Sequence, residues 1–179
     1  MPFLNRPPPA SHQAGELPVA SAVLADVAEM DRIEQASFAT PWNAELIRGA
    51  ILNPKYIVRV LRMGQHEIAG FYIAHTVERA SNLDNLVVDA RLRSNGHGRR
   101  LINDWIHMAW EQRLFTLTLQ VNIDNCGAQR LYRRFHFKQT RRLVGYYPNG
   151  DDAYQMEMAF SSHVAEGRLP SLPGAPAAR

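Results

Sequence analysis

The sequence predicts an α/β domain, and three observations predict it. The apolar run Leu86-Val87-Val88 passes through a short turn into Gly96-His97-Gly98 and then into a helix with the stripe Leu101, Ile102, Trp105, Ile106 and Ala109. A strand follows in which Leu117, Leu119 and Val121 alternate with Thr116, Thr118 and Gln120, which places the two sets on opposite faces. Two further pairs of β-rich runs, each pair joined by a turn-like segment, read as antiparallel hairpins.

Taken in order, residues 1–17 are rich in proline, alanine and polar types, and residues 161–179 repeat proline, glycine, serine and alanine without a period. Both read as disordered tails around one domain over 18–160. A first strand is expected at 18–25, then an amphipathic helix through Val27, Met30 and Ile33, then a second helix after Pro41-Trp42 with Asn43 as its N-cap. Residues 55–62 and 67–77 flank Met63-Gly64-Gln65-His66 and form the first hairpin. The central strand comes next at 83–88, and strict alternation would set Asn82, Asp84, Leu86 and Val88 on one face. Beyond the strand at 115–121, a helix opening at Asn125 returns to a strand at 137–144. Residues 153–160 close the second hairpin around Tyr146-Tyr147-Pro148-Asn149-Gly150-Asp151.

A chain of 179 residues can bury one core of ordinary size. It contains no run of about eighteen apolar residues, and its N-terminus lacks the apolar centre of a signal peptide, so a soluble, cytoplasmic protein with no membrane partner is expected. The single cysteine, Cys126, reads as a small residue near a helix start, and no histidine or cysteine partners stand at ligand spacing, so no metal is expected. The net charge is +3, and lysine occurs only at Lys55 and Lys138. Arg130, Arg133, Arg134, Lys138, Arg141 and Arg142 fit a solvated face, an RNA- or ribosome-facing patch, or cofactor contacts. No groove-reading motif is present, so nucleic acid is not the expected partner.

The glycine turn suits an anion. Glycine permits close backbone approach, the first amides of a helix have no acceptor within it, and the helix dipole favours negative charge there. A pyrophosphate is the natural guest.

The order strand, Arg93-x-x-Gly96-x-Gly98, helix, strand, then Asn125-x-x-Ala128-x-x-Leu131-Tyr132 resembles the acetyl-CoA-binding half of the GNAT acetyltransferase superfamily. Ile33-Glu34-Gln35 with Pro41-Trp42, and Tyr146-Tyr147-Pro148 ahead of Asp152-Ala153-Tyr154-x-Met156, extend the likeness. They point to the bacterial ribosomal-protein alanine N-acetyltransferases (RimI-like) and, more distantly, to eukaryotic N-terminal acetyltransferase subunits. The resemblance implies a mixed, mostly antiparallel sheet of about seven strands with helices on both faces. It further implies acetyl transfer from acetyl-CoA to the α-amine of a protein N-terminus, with a ribosomal protein beginning in alanine as the expected partner, by a monomeric enzyme that needs no metal.

Carried over residue by residue, the resemblance implies that backbone groups of Leu86, Val87 and Val88 bind the pantetheine arm and the acetyl carbonyl. The amides of Arg93, Ser94, Asn95, Gly96, His97, Gly98 and Arg99 would hold the pyrophosphate, and Asn125 would contact the cofactor while also serving as a helix N-cap. Tyr132 matches the general acid that protonates the departing thiolate, a transfer between groups of similar basicity, although a buried core tyrosine is the competing account. Tyr146 and Tyr147 match a pair lying over the peptide N-terminus, and Trp42 forms either the opposite wall or part of the core.

Gln120 departs from the pattern, because it occupies the place of a glutamate general base. A carboxamide cannot take a proton at neutral pH, but it can orient a water that does. An α-amine of pKa about 7.7–8.0 is already roughly ten to twenty per cent neutral at pH 7, whereas a lysine is almost wholly charged, so a weak base favours an N-terminal acceptor. Asp84 is the alternative base. His97 between the glycines, and His136 where the family has a left-handed glycine, depart further. Two rivals remain: a GNAT enzyme acting on a small amine or lysine, and a domain that binds acyl-CoA or a peptide without turnover.

Overall fold

The computed structural model describes residues 17–65 and 67–160; the expected tails at 1–17 and 161–179 lie outside the described residues except for Leu17, which packs against the core. Strands β1 (Val19–Ser21), β2 (Tyr56–Arg62), β3 (Ile68–Val77), β4 (Ala80–Val88), β5 (Thr116–Asn122), β6 (Lys138–Leu143) and β7 (Ala153–Ala159) form one sheet. Helices α1 (Val27–Ser37), α2 (Ala44–Leu52), α3 (His97–Glu111) and α4 (Cys126–Arg134) cover it. The seven strands run in the order β1-β2-β3-β4-β5-β7-β6. Every pairing is antiparallel except β4 with β5, whose crossover is α3.

Each element follows from local chemistry. Asn43 caps α2 by accepting the Leu46 amide at 2.9 Å, and Asn125 caps α4 by accepting the Ala128 amide at 3.0 Å. The first strand is shorter than expected, because Asp26 turns the chain after Ser21. Its carboxylate accepts the Val23 amide and pairs with both guanidinium nitrogens of Arg62, which pins a 3-10 turn at Leu24–Asp26 against β2. His136 adopts φ +65°, the left-handed geometry that the helix end requires.

Two cores lie on opposite faces of the sheet. One gathers Leu101, Ile102, Trp105 and Ile106 of α3 with Leu117, Leu119, Val121, Tyr132 and Phe137, and Trp105 donates its indole N–H to Ser81 Oγ at 3.0 Å. The other packs Met30 and Ile33 of α1 and Ile47 of α2 on Val60, Phe71, Ile73 and Val87. No helix among the described residues is long and apolar enough to cross a membrane.

Between these cores β4 changes register. Leu83 pairs with Ala74 and Asn85 with Ile73, so Asp84 is an extra residue, a β-bulge. The bulge overturns the expected alternation. Leu83, Leu86 and Val88 face the α3 core, whereas Asp84 keeps company with Asn82 on the α1 face. An inserted residue shifts the period-2 pattern by one, so a strictly alternating reading keeps Asp84 with Asn82 but has the wrong face from Asn85 onward.

Candidate active site

The bulge also ends the contact between the two parallel strands. The β4–β5 ladder joins Ala80–Leu83 to residues 116–119 and stops there, while β5 continues against β7 as far as Asn122. From Asp84 to Val88 the edge of β4 that faces β5 therefore lies outside the ladder. Backbone polar groups on such an edge need partners, and an extended amide-bearing ligand supplies them.

Helix α3 begins beside the end of that edge. Gly96 holds φ +82°, and the first intrahelical bond runs from the Arg100 amide to Gly96 O at 3.1 Å, so the amides of His97, Gly98 and Arg99 have no acceptor within the helix. A Cβ on Gly98 would stand 3.3 Å from Leu131 of α4, which leaves little room for a side chain there. The Arg93 guanidinium does not point outward to an anion. It turns back to donate to Val88 O at 3.1 Å and Ser37 Oγ at 3.2 Å, tying the loop to α1. Asn95 bonds Leu92 O within the turn, and Ser94 adopts φ +66°. What this loop offers a phosphate is its backbone.

Tyr132 lies on the α3 side of the sheet, only 7% exposed and edge-on to Phe137. Burial, reinforced by the neighbouring Tyr147 phenol, holds its pKa far above the usual tyrosine value, so the hydroxyl keeps its proton at every physiological pH. It can donate a hydrogen bond, and it holds its proton more tightly than the near-match in basicity expected from the sequence.

The opposite face carries a polar chain of side chains. Asn82 Oδ1 accepts from Thr118 Oγ at 2.8 Å and from Gln120 Nε2 at 3.2 Å, and Asn82 Nδ2 donates to Asp84 Oδ1 at 2.7 Å. Asp84 Oδ2 lies 2.6 Å from His75 Nδ1, and Gln120 Oε1 accepts from Tyr146 at 3.4 Å. The pKa of Tyr146 is raised, first by burial and then by the negative charge of Asp84. Its ring stands edge-on to Tyr147 at 5.1 Å, so the tyrosine pair reaches toward Asp84 with one ring and Tyr132 with the other.

The other wall comes from α1 and the loop after it. Glu34 is fully buried and accepts the Trp42 amide at 3.2 Å and the Asn85 side-chain amide. Desolvation raises its carboxyl from 4.5 to about 7. Trp42 is half-buried against the α1–α2 core, so wall and packing coincide in one side chain. His75 does not stand out in sequence, and Glu34 stands out only as part of the family likeness, with no role attached. A histidine in a β-rich run carries no signal until the pairing of β3 with β4 brings an aspartate beside it, and a helical glutamate shows no role until a loop folds over it.

Asp84, Gln120, Tyr146 and Trp42 thus belong to the α1 side, and Tyr132 and the α3 turn to the other, with the open β4 edge between them. Arg130, Arg133, Arg134, Lys138, Arg141 and Arg142 are all exposed, and Arg142 pairs with Asp152, as befits a solvated face.

Residues 24–160 match the family model for an acetyltransferase (GNAT) domain. The [ribosomal protein bS18]-alanine N-acetyltransferase of Haemophilus ducreyi is 31% identical over 129 residues, covering 70% of this chain and 86% of that protein. The enzyme of that name from Escherichia coli K12 is 27% identical over 146 residues, 80% of this chain and 97% of that protein. The crystal structure of the Escherichia coli ribosomal-protein-S18-alanine N-acetyltransferase superposes with a TM-score of 0.72, covering 81% of this chain and 97% of that one. Arabidopsis thaliana NAA60 in complex with acetyl-CoA shares the fold at 19% identity and a TM-score of 0.71, over 80% of this chain and 98% of that one.

Proposed function

The chain belongs to the GNAT acetyltransferases, and on that premise we propose that it transfers acetyl from acetyl-CoA to the α-amine of a protein N-terminus, that of alanine in a ribosomal protein. The observation that carries this reading is the open β4 edge with a protonated phenol on one side and a polar, aromatic-walled slot on the other. The α3 turn and residues 86–88 hold the donor through backbone groups. A β4 amide polarises the thioester carbonyl, the amine attacks directly, and Tyr132 gives its proton to the leaving thiolate. Gln120 and Asp84 orient and receive the acceptor, between Trp42 and the Tyr146–Tyr147 pair. The likeness to named alanine N-acetyltransferases supports the acceptor class.

Two peptides test this, one with a free N-terminal alanine and no lysine, the other blocked at its N-terminus and carrying an internal lysine. Incubation with acetyl-CoA and intact-mass analysis should show acetylation of the first alone. Preference for the second would move the enzyme to lysine chemistry, and binding of acetyl-CoA without turnover on either would make the domain a binding module.

A further inference from the structure

We propose that His75 acts with Asp84 as the proton-accepting pair of this site, replacing the carboxylate base that Gln120 does not provide. The inference rests on the acetyl-transfer reading above and adds to it a residue on β3.

The geometry is that of an oriented imidazole. Asp84 is held from two sides, Oδ1 by Asn82 Nδ2 at 2.7 Å and Oδ2 by His75 Nδ1 at 2.6 Å. An ionised carboxylate only accepts, so the proton in the second bond is carried by His75 Nδ1, and Nε2 is left as the acceptor of the neutral ring. Among the described residues Nε2 has no hydrogen-bond partner. The His75 side chain is 31% exposed and that of Asp84 17%, so the pair leads from the slot toward water. Asn82, the cross-strand partner of His75, lies on the same face of the sheet as Asp84, and the bulge frees Asp84 from the ladder register so that its carboxylate lies against the imidazole. Ionisable groups near the pair include Tyr56, whose ring lies 5.7 Å from the imidazole, and Tyr146, which feels the charge of Asp84.

The chemistry balances around one released proton. An ammonium acceptor loses a first proton to His75 Nε2, through water where the two do not touch, and Asp84 stabilises the imidazolium. The amine then forms the C–N bond at the acetyl carbon, and collapse of the tetrahedral adduct breaks the C–S bond. The second nitrogen proton replaces the one that Tyr132 gives to the thiolate. His75 returns the first proton to solvent, so acetyl thioester and ammonium yield amide, thiol and one proton.

The test compares kcat for the wild type, His75→Gln, His75→Ala and Asp84→Asn at saturating acetyl-CoA, on whichever amine the wild type acetylates. Glutamine can keep the bond to Asp84 but cannot take a proton. Each variant should lose roughly 10²-fold in kcat with KM for acetyl-CoA unchanged, and imidazole in the buffer should restore rate to His75→Ala alone. Wild-type kcat in His75→Gln overturns the pair while leaving acetyl transfer standing, as does a loss in His75→Ala that imidazole leaves untouched. If His75→Ala does not fold, the kcat of His75→Gln decides. A wild type inert toward every amine overturns both readings.

Discussion

The two sides of the β4 edge are built in different ways. The proposed donor side is backbone: a glycine with positive φ, three helix amides with no acceptor within the helix and a strand edge outside its ladder. The acceptor side is side chains: a chain of polar groups from Tyr146 through Gln120, Asn82 and Asp84 to His75, walled by Trp42 over a buried glutamate. A backbone cradle tolerates almost any side chain that leaves its path free, whereas a polar chain depends on each member. Changes on the donor side should therefore act through affinity for acetyl-CoA, and changes on the acceptor side through turnover and pH.

Tyr132 should separate the two most sharply. Tyr132→Phe keeps the ring and its contact with Phe137 but removes the proton, so kcat should fall by roughly 10²–10⁴-fold with both KM values nearly unchanged in steady-state kinetics.

Glu34 comes next, as an effect on stability. Its folded pKa of about 7 lies above the unfolded value of 4.5. Between those values the unfolded chain releases the proton first, so stability falls as pH rises through that window, by about 3 kcal/mol in all. Urea unfolding at pH 5 and pH 8 should show this loss in the wild type. In Glu34→Gln most of it should vanish.

The donor side yields a smaller change. Gly96→Ala forces an L-residue to φ +82° at a cost of about 1–2 kcal/mol, which should appear as a roughly tenfold higher KM for acetyl-CoA with KM for the acceptor unchanged. His136→Gly is the smallest and serves as a control that alters the backbone at the end of α4 and no side chain of either side. Relief of the left-handed histidine, partly offset by the greater freedom of glycine when unfolded, should raise stability by up to about 1 kcal/mol in a denaturant titration without altering kcat.

The same contrast explains what could be read from the chain. The local structure of the proposed donor side was legible because its signal is local: Gly96 and Gly98 after an apolar strand, Asn125 capping a helix, Tyr132 seven residues on. The seven strands and both hairpins were legible for the same reason, as runs of one period bounded by turns. The acceptor side was legible only in part. Asp84, Gln120 and Tyr146 could be named from the family pattern, but the faces of Leu86 and Val88 were misassigned, because nothing in Leu83-Asp84-Asn85 announces a bulge. The bulge arises from the register of pairing with the neighbouring strand β3, which the sequence of β4 alone does not set. The roles of His75 and Glu34 show only once that pairing and the α1–α2 loop are in place, and the partners of the Arg93 side chain, Ser37 and the Val88 carbonyl, lie on other elements.

The central claim is that donor and acceptor meet through the opening beside β4, one from each face of the sheet. The most direct measurement is the affinity of a conjugate in which coenzyme A is joined to the α-nitrogen of an alanyl peptide through an acetyl spacer, compared by calorimetry with coenzyme A and with the peptide alone. If the two sites converge, the conjugate should bind at least about a hundredfold more tightly than coenzyme A. Affinity no better than that of coenzyme A would mean that the peptide does not enter from the opposite face, and would contradict the account.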